Sequence, residues 1–184
     1  RYHAALKDLQ DSDLVYACTC SRSDIAQAAS APHAGAEGPI YPGTCAGGNA
    51  SKGVQLAGPS AWRYRWTAAS MQFEDGLMGR QQCNPSTDFG DFVVFKADTT
   101  PAYQLAGVVD DHEMEVTEVL RGDDLIPSTF RQLALYRAFG WKPPTMIHVP
   151  LVVGTDGRRM ESGGDLVLEV DHALLQLLDA VMFR

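Results

Sequence analysis

No apolar run in this chain approaches the ~20 residues that cross a bilayer, so a helical membrane span is excluded as a reading. Its first residues carry no basic stretch followed by an apolar one, as a secretory leader would, and a cytoplasmic protein without a membrane partner is expected. Positive charge is in short supply, 15 Lys and Arg against 23 Asp and Glu for a net charge of −8. No overall field therefore draws the chain to polyanions, and an RNA contact would need a local basic patch. Cysteine is scarce too, four in 184 residues, yet three of the four fall at Cys18, Cys20 and Cys45. In a cytosolic chain such crowding points to metal before disulfide, while the lone Cys83 reads as a buried thiol.

The hydrophobic content, 45% of 184 residues, can build one substantial core with at most a small appendage. Tyr2, Ala5, Leu6 and Leu9 recur at helical spacing with no cap before them, as though a helix had been entered partway. Residues 14–16 read as a short strand delivering Cys18-Thr19-Cys20, and residues 21–23 as the cap of a small helix over 24–29. Residues 30–60 are rich in Gly, Ala, Pro and Ser and hold too few large apolar groups to order themselves. Cys18, Cys20, Tyr41 and Cys45 bracket that loop, and one tetrahedral zinc would tie its ends together without a hydrophobic nucleus. His33 is the rival to Tyr41 as fourth ligand, and three unmetallated thiols are the plainer alternative. Residues 61–66 suit a strand with one charged face, whose Arg63 and Arg65 could join Arg80 in a basic patch. Residues 73–79 read as a turn-containing segment, and residues 90–94 and 147–153 as further strands. His148 is either a ligand contact or a hydrogen-bonded structural histidine. Leu174, Leu175, Leu178 and Met182 have helical spacing behind Asp171, a plausible cap.

The chain is best organised around residues 102–132. Leu105, Ala106, Val108 and Val109 form an apolar run bounded by Asp110 and Asp111, which reads as an interior strand of an α/β sheet. A second strand over 116–120 leads into Arg121-Gly122, placing an arginine at a strand's carboxyl end, where open α/β sheets bind ligands. Pro127-Ser128-Thr129 starts a helix that Gly140 stops. On spacing alone, Tyr103 could be a strand aromatic and Arg121 a solvated charge paired with Asp123 or Asp124.

Ala102-Tyr103-Gln104-Leu105-Ala106, Val108-Val109-Asp110-Asp111, residues 116–122, Ser128-Thr129 and Arg131-Gln132 together resemble the glutamyl-queuosine tRNA(Asp) synthetases, short relatives of bacterial glutamyl-tRNA synthetases. The resemblance implies an α/β fold, the later part of a class I synthetase Rossmann-type catalytic core with a zinc-binding insertion. It divides the chain into the end of a core helix (1–13), the insertion (14–60), the later half of the core (61–164) and a C-terminal helix (165–184). It implies that Tyr103 and Arg121, on neighbouring strands, line a glutamate pocket. There a guanidinium would hold a carboxylate through two parallel charge-assisted hydrogen bonds. Tyr41 takes the fourth place in the family's zinc site. The backbone at Leu151 and Val152 would approach adenine.

Gly107 stands where full-length glutamyl-tRNA synthetases usually carry asparagine. Residues 157–162 occupy the place of the class I lysine signature loop, with Arg159 for the first lysine and Ser162 at the second position beside Glu161. Loss of one preorganised cation there lowers the rate by roughly 10²- to 10³-fold. The glycine-rich first strand and histidine signature that hold ATP would belong upstream of Arg1. The implied chemistry is ATP-dependent activation of glutamate, with Mg2+, and transfer to queuosine in tRNA(Asp), by a monomer carrying Zn2+. A fragment of an ordinary glutamyl-tRNA synthetase and a non-catalytic zinc-stabilised binding module are the alternatives.

Overall fold

The computed structural model of the protein describes residues 1–21, 23–25, 34–35, 38–47 and 59–151. The chain divides into two compact units, Arg1–Pro150 and Leu151–Arg184, and Leu151 is the one described residue of the second. The expectations for Val152, Arg159, the 157–162 loop, the 165–184 helix, His33 and most of the 30–60 loop therefore lie outside the described residues.

Helix α1, Tyr2–Asp11, forms where the apolar residues recur three and four apart, and Ala5, Leu6 and Leu9 are buried. Asp13, with φ 55°, turns the chain into β1, Val15–Cys18, all four residues of which are buried. Alternation explains this. Val15 faces the main core, while Tyr16 and Cys18 face a second small cluster containing Tyr41. Strand β2, Ala34–Gly35, pairs antiparallel with β3, Gly38–Pro39. Strand β4, Ala61–Tyr64, lies between β1 and β7, Phe92–Phe95, in an antiparallel three-stranded sheet.

The expected turn-containing segment is a hairpin of β5, Met71–Asp75, and β6, Gly79–Cys83. A single helical turn, α2, Pro85–Asp88, follows it.

The expected interior strand over residues 105–109 is instead part of a helix, α3, Tyr103–Glu113. The run hides a helical period. Leu105, Val108 and Val109, spaced i, i+3, i+4, are the buried positions, whereas Ala106 and Gly107 between them are partly exposed. Strand β8, Glu118–Gly122, runs through a 3-10 turn, Asp123–Leu125, into α4, Ile126–Phe139. Gly140 ends α4 in the left-handed conformation, φ 67°. Strand β9, Thr145–Val149, then pairs parallel with β8, as a helix-connected crossover permits. This register sets Arg121 directly beside His148.

The core gathers α1, α3 and α4 against the sheet through residues such as Leu9, Val94, Leu105, Val108, Phe130 and Leu135. The turn of the β5–β6 hairpin docks on β9, with the Gly76 N–H donating to the Met146 carbonyl at 2.8 Å. Gly76 is needed there, because a Cβ would stand 2.8 Å from Ile147 Cγ1.

Candidate functional site

Arg121 is fixed by what surrounds it. Its Nη2 donates to Thr129 Oγ1 at 2.6 Å and to Gln132 Oε1 at 2.8 Å, and its Nε donates to His148 Nε2 at 3.2 Å. Thr129, Gln132 and His148 are all buried. Three of the five guanidinium hydrogens are thereby committed, and Nη1 has no protein acceptor among the described residues. A carboxylate held through two parallel hydrogen bonds, as the resemblance implies, would have to displace one of these partners. Both Nη2 hydrogens are in use, so while these bonds hold a ligand can be received only through Nη1.

Behind Arg121 the network continues. His148 Nδ1 lies 2.5 Å from Asp75 Oδ2, with both side chains fully buried. Asp75 Oδ1 accepts the backbone N–H groups of Leu77 (3.0 Å), Met78 (2.9 Å) and His148 (3.1 Å). Burial pushes the Asp75 carboxyl up, but the hydrogen bonds from His148, Met78 and Leu77 outweigh it and hold the group below the usual carboxylate range. His148 is thus a hydrogen-bonded structural histidine in contact with Arg121. Thr129 Oγ1 also lies 2.9 Å from His148 Nε2 and can donate to the Leu125 carbonyl at 3.2 Å.

Tyr103 opens α3 and is 58% exposed. It is delivered by a helix, which corrects the expectation that neighbouring strands carry the pair. Tyr103, Gly107 and Asp111 are spaced i, i+4, i+8 and share a stripe of α3. A Cβ at Gly107 would lie 3.3 Å from Gln132 Nε2, so this stripe faces the residue that grips Arg121. Burial pushes the Asp111 carboxyl above its usual range, the Arg121 charge pulls it back, and Asp110 adds to the rise. Among the described residues no salt bridge joins Asp123 to Arg121.

The second constellation is the cysteine cluster. The Sγ atoms of Cys18, Cys20 and Cys45 all lie within 4.8 Å of one another, and all are free thiols. Cys20 Sγ is 3.5 Å from Cys45 Sγ, and the Tyr41 hydroxyl is 3.5 Å from Cys18 Sγ and 3.8 Å from Cys20 Sγ. A tetrahedral zinc with Zn–S of ~2.3 Å and Zn–O of ~2.0 Å separates sulfurs by about 3.8 Å and sulfur from oxygen by about 3.5 Å. The donor set fits such an ion.

The Cys45 N–H donates to the Tyr41 oxygen at 2.8 Å, and the Arg63 guanidinium covers the Tyr41 ring at 3.9 Å while its Nε donates to Cys18 Sγ at 3.3 Å. Burial pushes the Cys20 thiol up to about 11 and the Tyr41 phenol well above its usual range. Burial also acts upward on Cys45, but hydrogen bonds from Tyr41, Thr19 and Cys20 bring it down to about 7. A cation's own field is what would deprotonate Cys20 and Tyr41.

Arg63 is therefore no part of a surface patch, being 8% exposed. Arg65 donates to the Ala46 carbonyl and lies over Tyr16, and Arg80 pairs with Glu74 on the exposed face of the hairpin. Cys83 is the expected buried thiol. Leu151 is partly buried. Sequence reasoning missed Asp75 and Gln132 as partners of the Arg121 network, as well as the contact of Arg63 with the thiols. The Asp75-Gly76 pair at a turn was the available signal for the first.

The chain matches the family of tRNA synthetases class I (E and Q), catalytic domain, over residues 1–173. A protein of Rhodopirellula baltica named glutamyl-Q tRNA(Asp) synthetase is 49% identical over 170 residues, covering 86% of this chain and 52% of that protein. One of the same name from Geobacter sulfurreducens is 42% identical over 187 residues, covering 96% and 58%. The chain thus spans about half the length of these relatives. A glutamate tRNA ligase from Elizabethkingia meningosepticum, crystallised with its amino acid, superposes with a TM-score of 0.68 at 23% identity, covering 88% of this chain and 34% of that one. That likeness shows the α/β fold of the synthetase catalytic domain.

Proposed function

The chain belongs to the class I tRNA synthetases for glutamate and glutamine, within their catalytic domain, and on that premise we propose that it serves glutamate activation and transfer to queuosine in tRNA(Asp). The observation that carries this reading is Arg121, clamped through Nε and Nη2 while Nη1 has no acceptor among the described residues. A preset guanidinium binds an anion without first ordering itself. Relatives at 49% and 42% identity bear the glutamyl-Q name, which supports this reading over an ordinary glutamyl-tRNA synthetase fragment.

In the first step a glutamate carboxylate oxygen attacks the α-phosphorus of ATP, and pyrophosphate departs with the electrons of the broken P–O bond. The products are glutamyl-adenylate and pyrophosphate. In the second, a hydroxyl of the queuosine base attacks the acyl carbon, and AMP leaves. Arg121 Nη1 holds a carboxylate of glutamate, and the Tyr103 hydroxyl orients it. The family resemblance would assign adenine to the backbone at Leu151 and Val152 and the triphosphate to Arg159, where Mg2+ would supply further positive charge. Catalysis comes from positioning and charge stabilisation, with no covalent enzyme intermediate.

Cys18, Cys20, Tyr41 and Cys45 would hold a structural Zn2+, which would fasten Tyr41 and Cys45 to the end of β1. We place the protein in the cytoplasm as a monomer. No helix among the described residues is long and apolar enough to cross a membrane.

Exchange of labelled pyrophosphate into ATP by the full gene product tests the first step. Exchange that depends on glutamate and fails with glutamine or aspartate is expected, followed by label transfer to tRNA(Asp) only when it carries queuosine. Absence of glutamate-dependent exchange would retire the catalytic reading in favour of a zinc-stabilised binding module.

A further inference from the structure

The bonds behind Arg121 assign a task to two side chains outside the ligand pocket. We propose that Asp75 and His148 are positioning residues that set the imidazole tautomer and thereby hold Arg121 with only Nη1 facing glutamate. This rests on the reading of Arg121 as the glutamate-binding residue.

The argument starts at Asp75 Oδ1, which three backbone N–H groups occupy at 2.9–3.1 Å. Only Oδ2 is left for His148 Nδ1, at 2.5 Å. A carboxylate oxygen accepts, so Nδ1 must carry the proton and Nε2 keeps its lone pair free. That lone pair is what the Nε–H of Arg121 needs, at 3.2 Å. Thr129 completes the logic. Its oxygen accepts from Nη2 at 2.6 Å, and its own hydrogen is served by the Leu125 carbonyl. That hydrogen could also turn to the bare His148 Nε2, 2.9 Å away, and in either case Nδ1 keeps the proton that Asp75 requires. The order runs from the hairpin turn through β9 to β8, across elements that no local sequence pattern links.

Asp75→Asn breaks this order in a defined way. The three backbone donors keep the amide oxygen at the Oδ1 position, which puts the amide nitrogen, a donor, against His148 Nδ1. The imidazole must then carry its proton on Nε2, where it confronts the Arg121 Nε–H donor to donor. His148→Asn keeps a donor for Asp75 but cannot reach Arg121, whereas His148→Gln is long enough to offer Arg121 an oxygen.

The test combines glutamate calorimetry with 15N resonances of labelled histidine, on wild type and the three variants, with thermal melting and ATP affinity as controls. The His148 signals are assigned by their loss in His148→Asn. In wild type, Nδ1 is expected protonated and Nε2 bare, and in Asp75→Asn the reverse. Glutamate affinity should fall roughly 10- to 100-fold in Asp75→Asn and His148→Asn, with ATP affinity unchanged and partial recovery in His148→Gln.

An unchanged tautomer in Asp75→Asn, or glutamate affinity within twofold of wild type, overturns the inference. If Asp75→Asn does not fold, the two His148 variants decide, and equal glutamate affinity in both overturns it. Arg121→Ala separates this failure from that of the pocket itself. If it abolishes glutamate binding while Asp75→Asn does not, only the positioning role is lost. If it leaves glutamate binding intact, the pocket reading falls and the inference with it.

Discussion

Replacing Gly90 by alanine probes how the cysteine cluster is fastened to the core. Gly90 has φ +64°, and it forms a parallel bridge with Tyr41. A Cβ there would stand 2.9 Å from the Tyr41 carbonyl oxygen, 3.2 Å from its nitrogen and 2.8 Å from Ile40 Cγ2. Two of these three atoms are backbone and cannot rotate away, so Tyr41 itself must move. The left-handed conformation costs alanine about 1–2 kcal/mol, and forcing a methyl into a packed site costs about 1–3 kcal/mol. The sum, about 2–5 kcal/mol, should lower the melting temperature by roughly 4–20 °C at ~2–4 °C per kcal/mol for a chain of this size. Because the displaced residue carries the fourth donor of the proposed zinc site, zinc affinity should also fall about tenfold or more, as for other changes behind a ligand.

Circular-dichroism melting with and without chelator, alongside zinc competition against a chromogenic chelator, measures both effects. Tyr41→Phe serves as the control that removes the oxygen and leaves the backbone in place. A Gly90→Ala protein with wild-type melting and wild-type zinc affinity would refute the reasoning. Lower melting with unchanged zinc affinity would restrict Gly90 to packing.

Three further outcomes are expected. Arg121→Ala should weaken glutamate binding by roughly 2–5 kcal/mol, which is about 30-fold to several thousand-fold by calorimetry. Lysine at the same position should rescue little, since one ammonium cannot serve His148, Thr129, Gln132 and a ligand together. Elemental analysis should find about one zinc per chain, falling in Cys18→Ser. The Asp75 carboxyl is held below its unfolded value of ~3.9, so its stabilising contribution is fully present above about pH 4. That contribution is lost as pH falls through the folded value. The stability gap between wild type and Asp75→Asn in denaturant titrations should therefore be widest near neutrality and close below about pH 4.

The parts of the fold that were legible in the sequence are those with a local signature. The helix over Tyr2–Asp11 follows from Tyr2, Ala5, Leu6 and Leu9 at helical spacing, and Gly140 ends α4 with φ 67° as its position suggests. Residues 105–109 were misread because a short apolar run carries no period until burial is known. Gly107 faces Gln132 of α4 rather than lying inside a sheet.

The cysteine cluster was legible in the same sense, since Cys18 and Cys20 are two residues apart and Tyr41 and Cys45 four. Its partner Arg63 was not, because the strand pattern marks a charged face without saying that Cys18 and a tyrosine ring cover it. The Asp75–His148 contact spans 73 residues, and only the docking of the hairpin turn on β9 creates it. Arg121 itself was found from its place at a strand end, but the number of its hydrogens left for a ligand depended on Thr129, Gln132 and His148 together.

A crystal structure of the protein with L-glutamate tests the central claim most directly. The account predicts a glutamate carboxylate oxygen about 2.7–2.9 Å from Arg121 Nη1 and within reach of the Tyr103 hydroxyl, with the Nε and Nη2 bonds to His148, Thr129 and Gln132 unbroken. Glutamate bound away from Arg121, or a guanidinium that leaves His148 to meet it, would contradict the account.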